Sequence, residues 1–188
     1  LATICSMPLD RYDDALTRVE AAVAAQGADV AQVLGVHLEG PFLGGALGAH
    51  PPEVVRPMDV AWLNGLLDRH PGLVRLVTLA PELPGALELV DLLHARGVRV
   101  SLGHTNATAA EAEAAFGRGV RTVTHLFNAM RPFRHRDPGV AAALANEDVV
   151  VQLIVDGEHL DDTTVRVAWR AAAGRVALVT DAMAGAGE

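Results

Sequence analysis

The sequence predicts an α/β protein of the (β/α)8 TIM-barrel type. Runs of β-type residues alternate with helical patterns along the chain, as expected for right-handed βαβ units that build a parallel sheet. The GxGxxG fingerprint of a doubly wound nucleotide-binding sheet does not occur in the sequence. Polar residues instead follow the ends of several successive strands, which is typical of a barrel whose site lies at its carboxyl rim.

Seven apolar runs rich in β-branched residues are predicted to be strands. They cover residues 1–5, 33–38, 74–79, 98–102, 122–124, 149–155 and 176–180. Six of these are clear strands and the first is the tail of a seventh. The predicted barrel is therefore incomplete: it runs roughly from strand 2 to strand 8 and lacks about one βα unit.

Apolar residues at helical spacing predict helices between most of these strands. The helical segments are residues 9–25, 60–68, 85–96, 108–116, 141–145 and 163–173. Gly97 stops the third segment, and Gly117 and Gly119 follow the fourth. Residues 40–53, GPFLGGALGAHPPE, form a glycine- and proline-rich loop of the kind that carries function on a rigid scaffold.

Composition limits the class of protein. The 188 residues are 51% hydrophobic and 20% charged, which suits one globular domain spanning residues 1–188. A formal net charge of -8 argues against nucleic-acid binding, and the absence of an apolar run near the ~20 residues of a membrane span argues against membrane insertion. The single cysteine, Cys5, excludes an internal disulfide framework and favours the cytoplasm. Because the chain begins at Leu1 and ends just after a candidate catalytic strand, we expect an internal fragment of a longer protein.

Four predicted strands end in an imidazole or a carboxylate. His125 follows residues 122–124, and alone it is more often a satisfied structural histidine than a ligand. His104, Glu39 and Asp181 repeat the arrangement, which is what a metal or acid–base site at a barrel rim requires. For Glu39 the alternative is a solvated loop carboxylate, and for Asp181 it is a helix N-cap.

Other polar residues near these strands are candidates for substrate contact. His50, in the glycine-rich loop, is placed to close over a substrate and polarise its carbonyl oxygen. Asn128 and the backbone of Ala129 lie one turn past His125, where free N–H groups at a helix start would meet phosphate. His37 points to the same side of its strand as Glu39 and remains unassigned, since it also suits a packed group behind the ligands.

The residues that follow His125 include the densest basic cluster of the chain. It consists of Arg131, Arg134, His135 and Arg136. In a chain of net charge -8, this cluster suits phosphate better than a random solvated face.

Six motifs in order resemble the N-acetylglucosamine-6-phosphate deacetylase family of the amidohydrolase superfamily. They are GVHLEGPFL with a following GAH, then LGHTNAT, THLFNAM, RDPGVA, DGEH and LVTDAM, and they span nearly the whole chain. The resemblance implies hydrolysis of the acetamide of N-acetylglucosamine 6-phosphate, giving glucosamine 6-phosphate and acetate, in amino-sugar catabolism and cell-wall recycling. It also implies a homodimer. In the family the barrel carries a small flanking β domain built from both chain ends, and we expect that domain to lie outside this sequence.

The resemblance also implies roles for particular residues. Glu39, His104 and His125 would be metal ligands, a metal-activated water would be the nucleophile, and Asp181 would be the catalytic acid/base. The implied contacts to the sugar phosphate are Ala49 and His50, Asn128 and Ala129, Arg136, and His159.

Several alternatives stay open at the level of sequence. The metal is zinc or ferrous iron, since both accept nitrogen and oxygen ligands, and one or two ions per subunit are compatible because the first-strand HxH pair would precede Leu1. A related hydrolase acting on another amide or cyclic substrate would keep the histidines without needing the basic cluster around Arg136. A non-catalytic sugar-phosphate binding protein would need neither Asp181 nor a metal.

Overall fold

In the computed structural model, which describes residues 1–182, seven strands run in one direction. The strands are β1 (Ala2–Cys5), β2 (Val36–Glu39), β3 (Val74–Leu79), β4 (Arg99–Leu102), β5 (Thr122–Val123), β6 (Val150–Ile154) and β7 (Val176–Val179). All neighbouring pairs are parallel and the strands lie in sequence order. This is the order of a (β/α)8 barrel, so the predicted fold class is confirmed.

Five α-helices connect the strands. They are α1 (Tyr12–Ala25), α2 (Val60–Arg69), α3 (Ala86–Ala95), α4 (Ala109–Gly117) and α5 (Asp162–Ala172). A helix that crosses from one parallel strand to the next must cover the sheet face, so these helices form the outer layer. None of the helices in the described residues is long and apolar enough to cross a membrane.

The hydrophobic core lies between the sheet and this helical layer. The outward-facing residues Leu38, Val77 and Leu102 are fully buried and belong to the same apolar cluster as Leu66 of α2 and Leu89 of α3. The alternate residues of the strands point away from this core, into the barrel interior. Side chains that follow the strands therefore meet above a supported sheet.

The structure differs from the predicted elements at three places near strand ends or in connections. The second strand extends to Glu39, whose backbone is in register with Cys5 on one side and Thr78 on the other, so Glu39 is held by the sheet and not by a loop. The segment 124–130, where a helix start was expected, forms turns instead. The predicted helix over 141–145 is a 3-10 helix, Gly139–Ala145.

Candidate metal centre

Three side chains from three strands converge at the carboxyl rim. His104 Nε2 and His125 Nε2 each lie 3.1 Å from Glu39 Oε1, and the two nitrogens lie 2.9 Å apart. All three residues are at most 5% exposed. We call Glu39, His104 and His125 the triad.

The ends of the strands place the triad. Glu39 is the last residue of β2, while His104 and His125 lie two residues beyond β4 and β5. Both histidines have positive φ angles, 48° for His104 and 31° for His125, which are uncommon for residues other than glycine. Such backbone is retained only where the surrounding structure over-determines it, and it clusters at functional sites.

Hydrogen bonding around His104 shows that the triad suits a cation. His104 Nδ1 donates to the carbonyl oxygen of Leu47 at 3.0 Å, because a carbonyl can only accept. With Nδ1 engaged in this bond, Nε2 is the ring nitrogen that faces the carboxylate of Glu39, at 3.1 Å. Two imidazole nitrogens and one carboxylate oxygen directed at a common point are the donor set that divalent metals prefer.

The triad residues shift the pKa values of Glu39 and His125 in opposite directions. Burial opposes ionisation of Glu39, but hydrogen bonds from His104 and His125 outweigh it and hold the pKa of the carboxyl well below its usual range. Burial would likewise lower the pKa of His125, yet its hydrogen bond to Glu39 and the carboxylate charge raise that pKa above the ordinary value. The carboxylate is therefore ionised at neutral pH.

His50 lies beside the triad. Its ring meets that of His104 edge-on, with centroids 4.4 Å apart. One possible ligand atom from each of Glu39, His50 and His104 lies within 4.8 Å of the other two. His125 approaches Glu39 and His104 to within 3.1 Å, so it completes the donor set better than His50 does. Burial, followed by the neighbouring charge of His104, lowers the pKa of His50, which keeps its imidazole neutral.

The triad opens onto a cavity of about 690 Å³ inside the barrel. Glu39, His125 and Asp181 all line it. Asp181 lies two residues beyond β7, is exposed, and has a φ of 51°. An exposed carboxylate on the wall that carries two of the triad residues is placed for proton transfer within the cavity.

Glu82, on the loop after β3, is a supporting residue that sequence reasoning did not single out. Its carboxylate accepts from the Thr105 hydroxyl at 2.5 Å and from the Asn106 amide at 2.7 Å, directly beyond His104. The amide of Thr105 in turn donates to the carbonyl of Ala129 at 3.1 Å. The rule that polar residues follow barrel strands would have found Glu82, because it stands three residues after β3.

The predicted substrate residues of two loops lie close to the triad. Ala49 is exposed beside the buried His50. Asn128 donates through both its backbone amide and its side-chain amide to the carbonyl of His125, at 3.0 and 3.2 Å, in the turn that replaces the expected helix start. The backbone amide of Asn128 is therefore engaged within a turn and not at a helix start, while the role of Asn128 as a substrate contact stays a prediction.

Arg136 and His159 lie apart from the triad in the contacts of residues 1–182. Arg136 is exposed on the loop that follows the turn, where Arg131 pairs with Asp137 at 2.8 Å. His159 is exposed, and its Nδ1 lies 2.6 Å from Asp156 Oδ2. No hydrogen bond within the described part of the chain joins Arg136 or His159 to the triad.

Known proteins resemble the chain along its whole length. It is 41% identical over 96% of its length to N-acetylglucosamine-6-phosphate deacetylase of Bos taurus, of which it covers 46%. It is 40% identical over its full length to N-acetylgalactosamine-6-phosphate deacetylase of Escherichia coli O157:H7, of which it covers 50%. The chain thus spans about half the length of these curated relatives. No protein-family model matches the chain.

Solved structures agree with the sequence relatives. The crystal structure of N-acetyl-D-glucosamine-6-phosphate deacetylase from Mycobacterium smegmatis is 36% identical with a TM-score of 0.92, and the match covers 99% of this chain and 49% of that one. A mutant of that enzyme in complex with N-acetyl-D-glucosamine-6-phosphate is 35% identical with a TM-score of 0.91, covering 97% and 48%. The resemblance expected from the six motifs is confirmed.

Proposed function

We propose, from the kinship of this chain with N-acetylglucosamine-6-phosphate deacetylases along its whole length, that the intact protein carries out the same hydrolysis. It would remove acetate from N-acetylglucosamine 6-phosphate to give glucosamine 6-phosphate, in amino-sugar catabolism and cell-wall recycling. Residues 1–188 would be the metal-dependent barrel domain of that enzyme. The observation that carries the proposal is the convergence of Glu39, His104 and His125 within 3.1 Å at the barrel rim.

In this proposal the triad holds a divalent cation, zinc or ferrous iron. Nε2 of His104 and the ionised carboxylate of Glu39 face the same point, which supports a ligand role for both. A cation held there would act as a Lewis acid that makes water acidic enough to supply the nucleophile near neutral pH. One or two ions per subunit are compatible with these residues.

Asp181 and His50 would handle the protons and the charge of the reaction. An amide has a poor leaving group, so the proton taken from the nucleophile must be returned to the departing amine. Asp181, on the cavity wall beside Glu39 and His125, would take and return it. The neutral ring of His50 would donate a hydrogen bond to the carbonyl oxygen as negative charge develops there.

The sugar phosphate would be held by residues around the cavity mouth. The contacts proposed are Ala49 and His50, Asn128 and Ala129, Arg136 and His159. His159 donates through Nδ1 to Asp156, which would leave Nε2 free to face a ligand. Arg136 is exposed and would reach the phosphate across the interface of a homodimer. A phosphorylated metabolite as substrate supports a cytoplasmic location.

Arg136→Ala is expected to raise KM for N-acetylglucosamine 6-phosphate roughly 30-fold, because losing one charge-assisted contact to phosphate costs about 2 kcal/mol. Hydrolysis of N-acetylglucosamine without the phosphate should be equally poor in both proteins. Steady-state kinetics on the two sugars measure this, with Arg118→Ala, at the exposed residue that follows α4, as the control for loss of a surface arginine. An equal loss on both sugars would remove Arg136 from the phosphate site.

Mixed dimers test whether Arg136 acts across the interface. Chains carrying Asp181→Asn and chains carrying Arg136→Ala should together recover activity, since one of the two sites in a mixed dimer would be intact. Mixtures that remain inactive after subunit exchange has been confirmed would place Arg136 in its own subunit's site or outside the site.

The proposed activity is tested by acetate release from three acetylated sugars. The metal-loaded intact protein should hydrolyse N-acetylglucosamine 6-phosphate faster than N-acetylgalactosamine 6-phosphate, and both far faster than N-acetylglucosamine. The similarity to the Escherichia coli enzyme makes the galactosamine compound the second candidate substrate. Release from none of the three would contradict the proposal, and comparable activity on the unphosphorylated sugar would favour a different amide hydrolase.

A further inference from the structure

Four buried polar side chains form a continuous hydrogen-bonded row inside the barrel. His37 Nε2 lies 2.7 Å from Thr78 Oγ1, Thr78 Oγ1 lies 2.7 Å from Thr124 Oγ1, and Thr124 Oγ1 lies 2.6 Å from Ser101 Oγ. None of the four is more than 7% exposed. We call His37, Thr78, Ser101 and Thr124 the polar row.

Packing alone does not explain the polar row. The interior of such barrels is usually filled by Val, Ile and Leu, and valine would fill nearly the volume of each threonine. Burying a hydroxyl costs free energy unless it is hydrogen-bonded, and replacing paired polar groups by apolar groups of the same shape is often neutral for stability. The fold therefore has no need of these hydroxyls in order to form.

Three residues of the polar row stand just before the three residues of the triad in sequence. His37 stands two residues before Glu39, Ser101 three residues before His104, and Thr124 directly before His125. Thr78 lies on β3, between the strands that carry Glu39 and His104. One hydrogen-bonded path thus connects all three strands whose ends supply the triad.

The strand pairing below this part of the rim is short. Strand β5 has two residues, and its register with β4 consists of Ser101 with Thr122 and Leu102 with Val123. The backbone amide of Thr124 donates to the carbonyl of Leu102 at 2.9 Å, and the side chain of Thr124 adds contacts to β3 and β4 at the position next to His125. Hydrogen bonds of 2.6 to 2.7 Å allow little variation in the separation of the chains that they join.

Gly103 leaves room for the contact between Thr78 and Thr124. A Cβ atom at this position would lie 2.7 Å from Thr78 Cγ2 and 3.1 Å from Thr124 Cβ. The absence of a side chain directly before His104 is therefore what lets Thr78 and Thr124 approach each other.

We infer that the polar row is a positioning network that sets the mutual distances of Glu39, His104 and His125 for metal binding. The inference rests on the proposed metal site and extends it to residues that do not touch the ion. Partners behind the ligands commonly change metal affinity by about 10- to 100-fold when they are mutated. We therefore expect the row to control affinity and coordination more than stability.

The test compares a variant that removes the Thr124 hydroxyl at nearly constant volume with one that keeps it. Thr124→Val in the intact protein should raise the dissociation constant for Co²⁺ about 10-fold or more and alter the visible absorption of the bound ion. Thr124→Ser, which retains the hydroxyl, should restore both. Ser101→Ala removes only the hydroxyl at the end of the polar row, and it replaces Thr124→Val in the test if that variant does not fold. Val123→Ala, an outward-facing neighbour that is fully buried, is the control: it should lower Tm and leave the Co²⁺ dissociation constant within about 3-fold.

The outcomes separate this inference from the metal site itself. If Thr124→Val and Ser101→Ala bind Co²⁺ as tightly as the unmodified protein and with the same spectrum, the positioning role is wrong and the metal site stands. Failure of Thr124→Ser to restore affinity would likewise overturn the role of the hydroxyl. If the unmodified protein binds no Co²⁺, the proposed metal site fails, and the inference fails with it.

Discussion

Replacing His104 or His125 by alanine is expected to abolish tight metal binding by the intact protein. Each substitution would delete one of the three proposed protein ligands and leave the buried carboxylate of Glu39 without one of its two histidine partners. Elemental analysis after dialysis should then find less than about a tenth of the metal content of the unmodified protein. Activity should fall in parallel.

His94→Ala is the matched control for this prediction. His94 is an exposed residue of α3 on the helical layer, so its loss should change neither metal content nor turnover. Circular dichroism should establish that the His104 and His125 variants remain folded. Full metal content in either variant would remove that histidine from the ligand set.

Replacing Asp181 by asparagine should lower turnover by about 100-fold or more while metal content and substrate affinity are preserved. Asparagine has nearly the same shape as aspartate but cannot carry the proton between nucleophile and leaving group. Asp181 lies on the cavity wall and makes no hydrogen bond to the triad within residues 1–182, so we expect the Asn variant to retain the metal. Single-turnover kinetics with isothermal titration of the substrate separate these effects.

Asp148→Asn, at an exposed position just before β6, is the control for loss of one negative charge. It should leave turnover within about 2-fold, as expected for a surface substitution away from the site. Normal turnover by the Asp181 variant would assign the proton transfer to another group, and loss of its metal would make Asp181 a ligand.

The sequence predicted the fold well because periodicity and strand ends are local signals. Strand β3 begins and ends at Val74 and Leu79 as predicted, and the helices α2 and α3 agree to within one residue at each end. Glu39, His104 and His125 follow apolar strands, and parallel topology brings such strand ends to a single rim. Their convergence on one rim therefore follows from alternation, whereas the separations of about 3 Å also depend on contacts between the strands.

The polar row and the turn after β5 were not predictable in the same way. Thr78, Ser101 and Thr124 are ordinary strand residues in sequence, and their hydrogen bonds depend on register between strands 23 to 46 residues apart. The turn at 124–130 requires positive φ at His125, Phe127 and Ala129, residue types that give no sign of it. Tertiary contacts, such as the bond from Thr105 to Ala129, support this conformation against local preference.

Anomalous diffraction at the absorption edge of the bound metal, from crystals of the intact protein, would locate the metal relative to the triad. We expect one strong peak within about 2.0 to 2.2 Å of Glu39 Oε1, His104 Nε2 and His125 Nε2. A second peak elsewhere in the cavity would be compatible with a two-metal enzyme. A peak coordinated by His50 in place of His125, or no peak at the triad in metal-loaded crystals, would show that the triad is not the metal site.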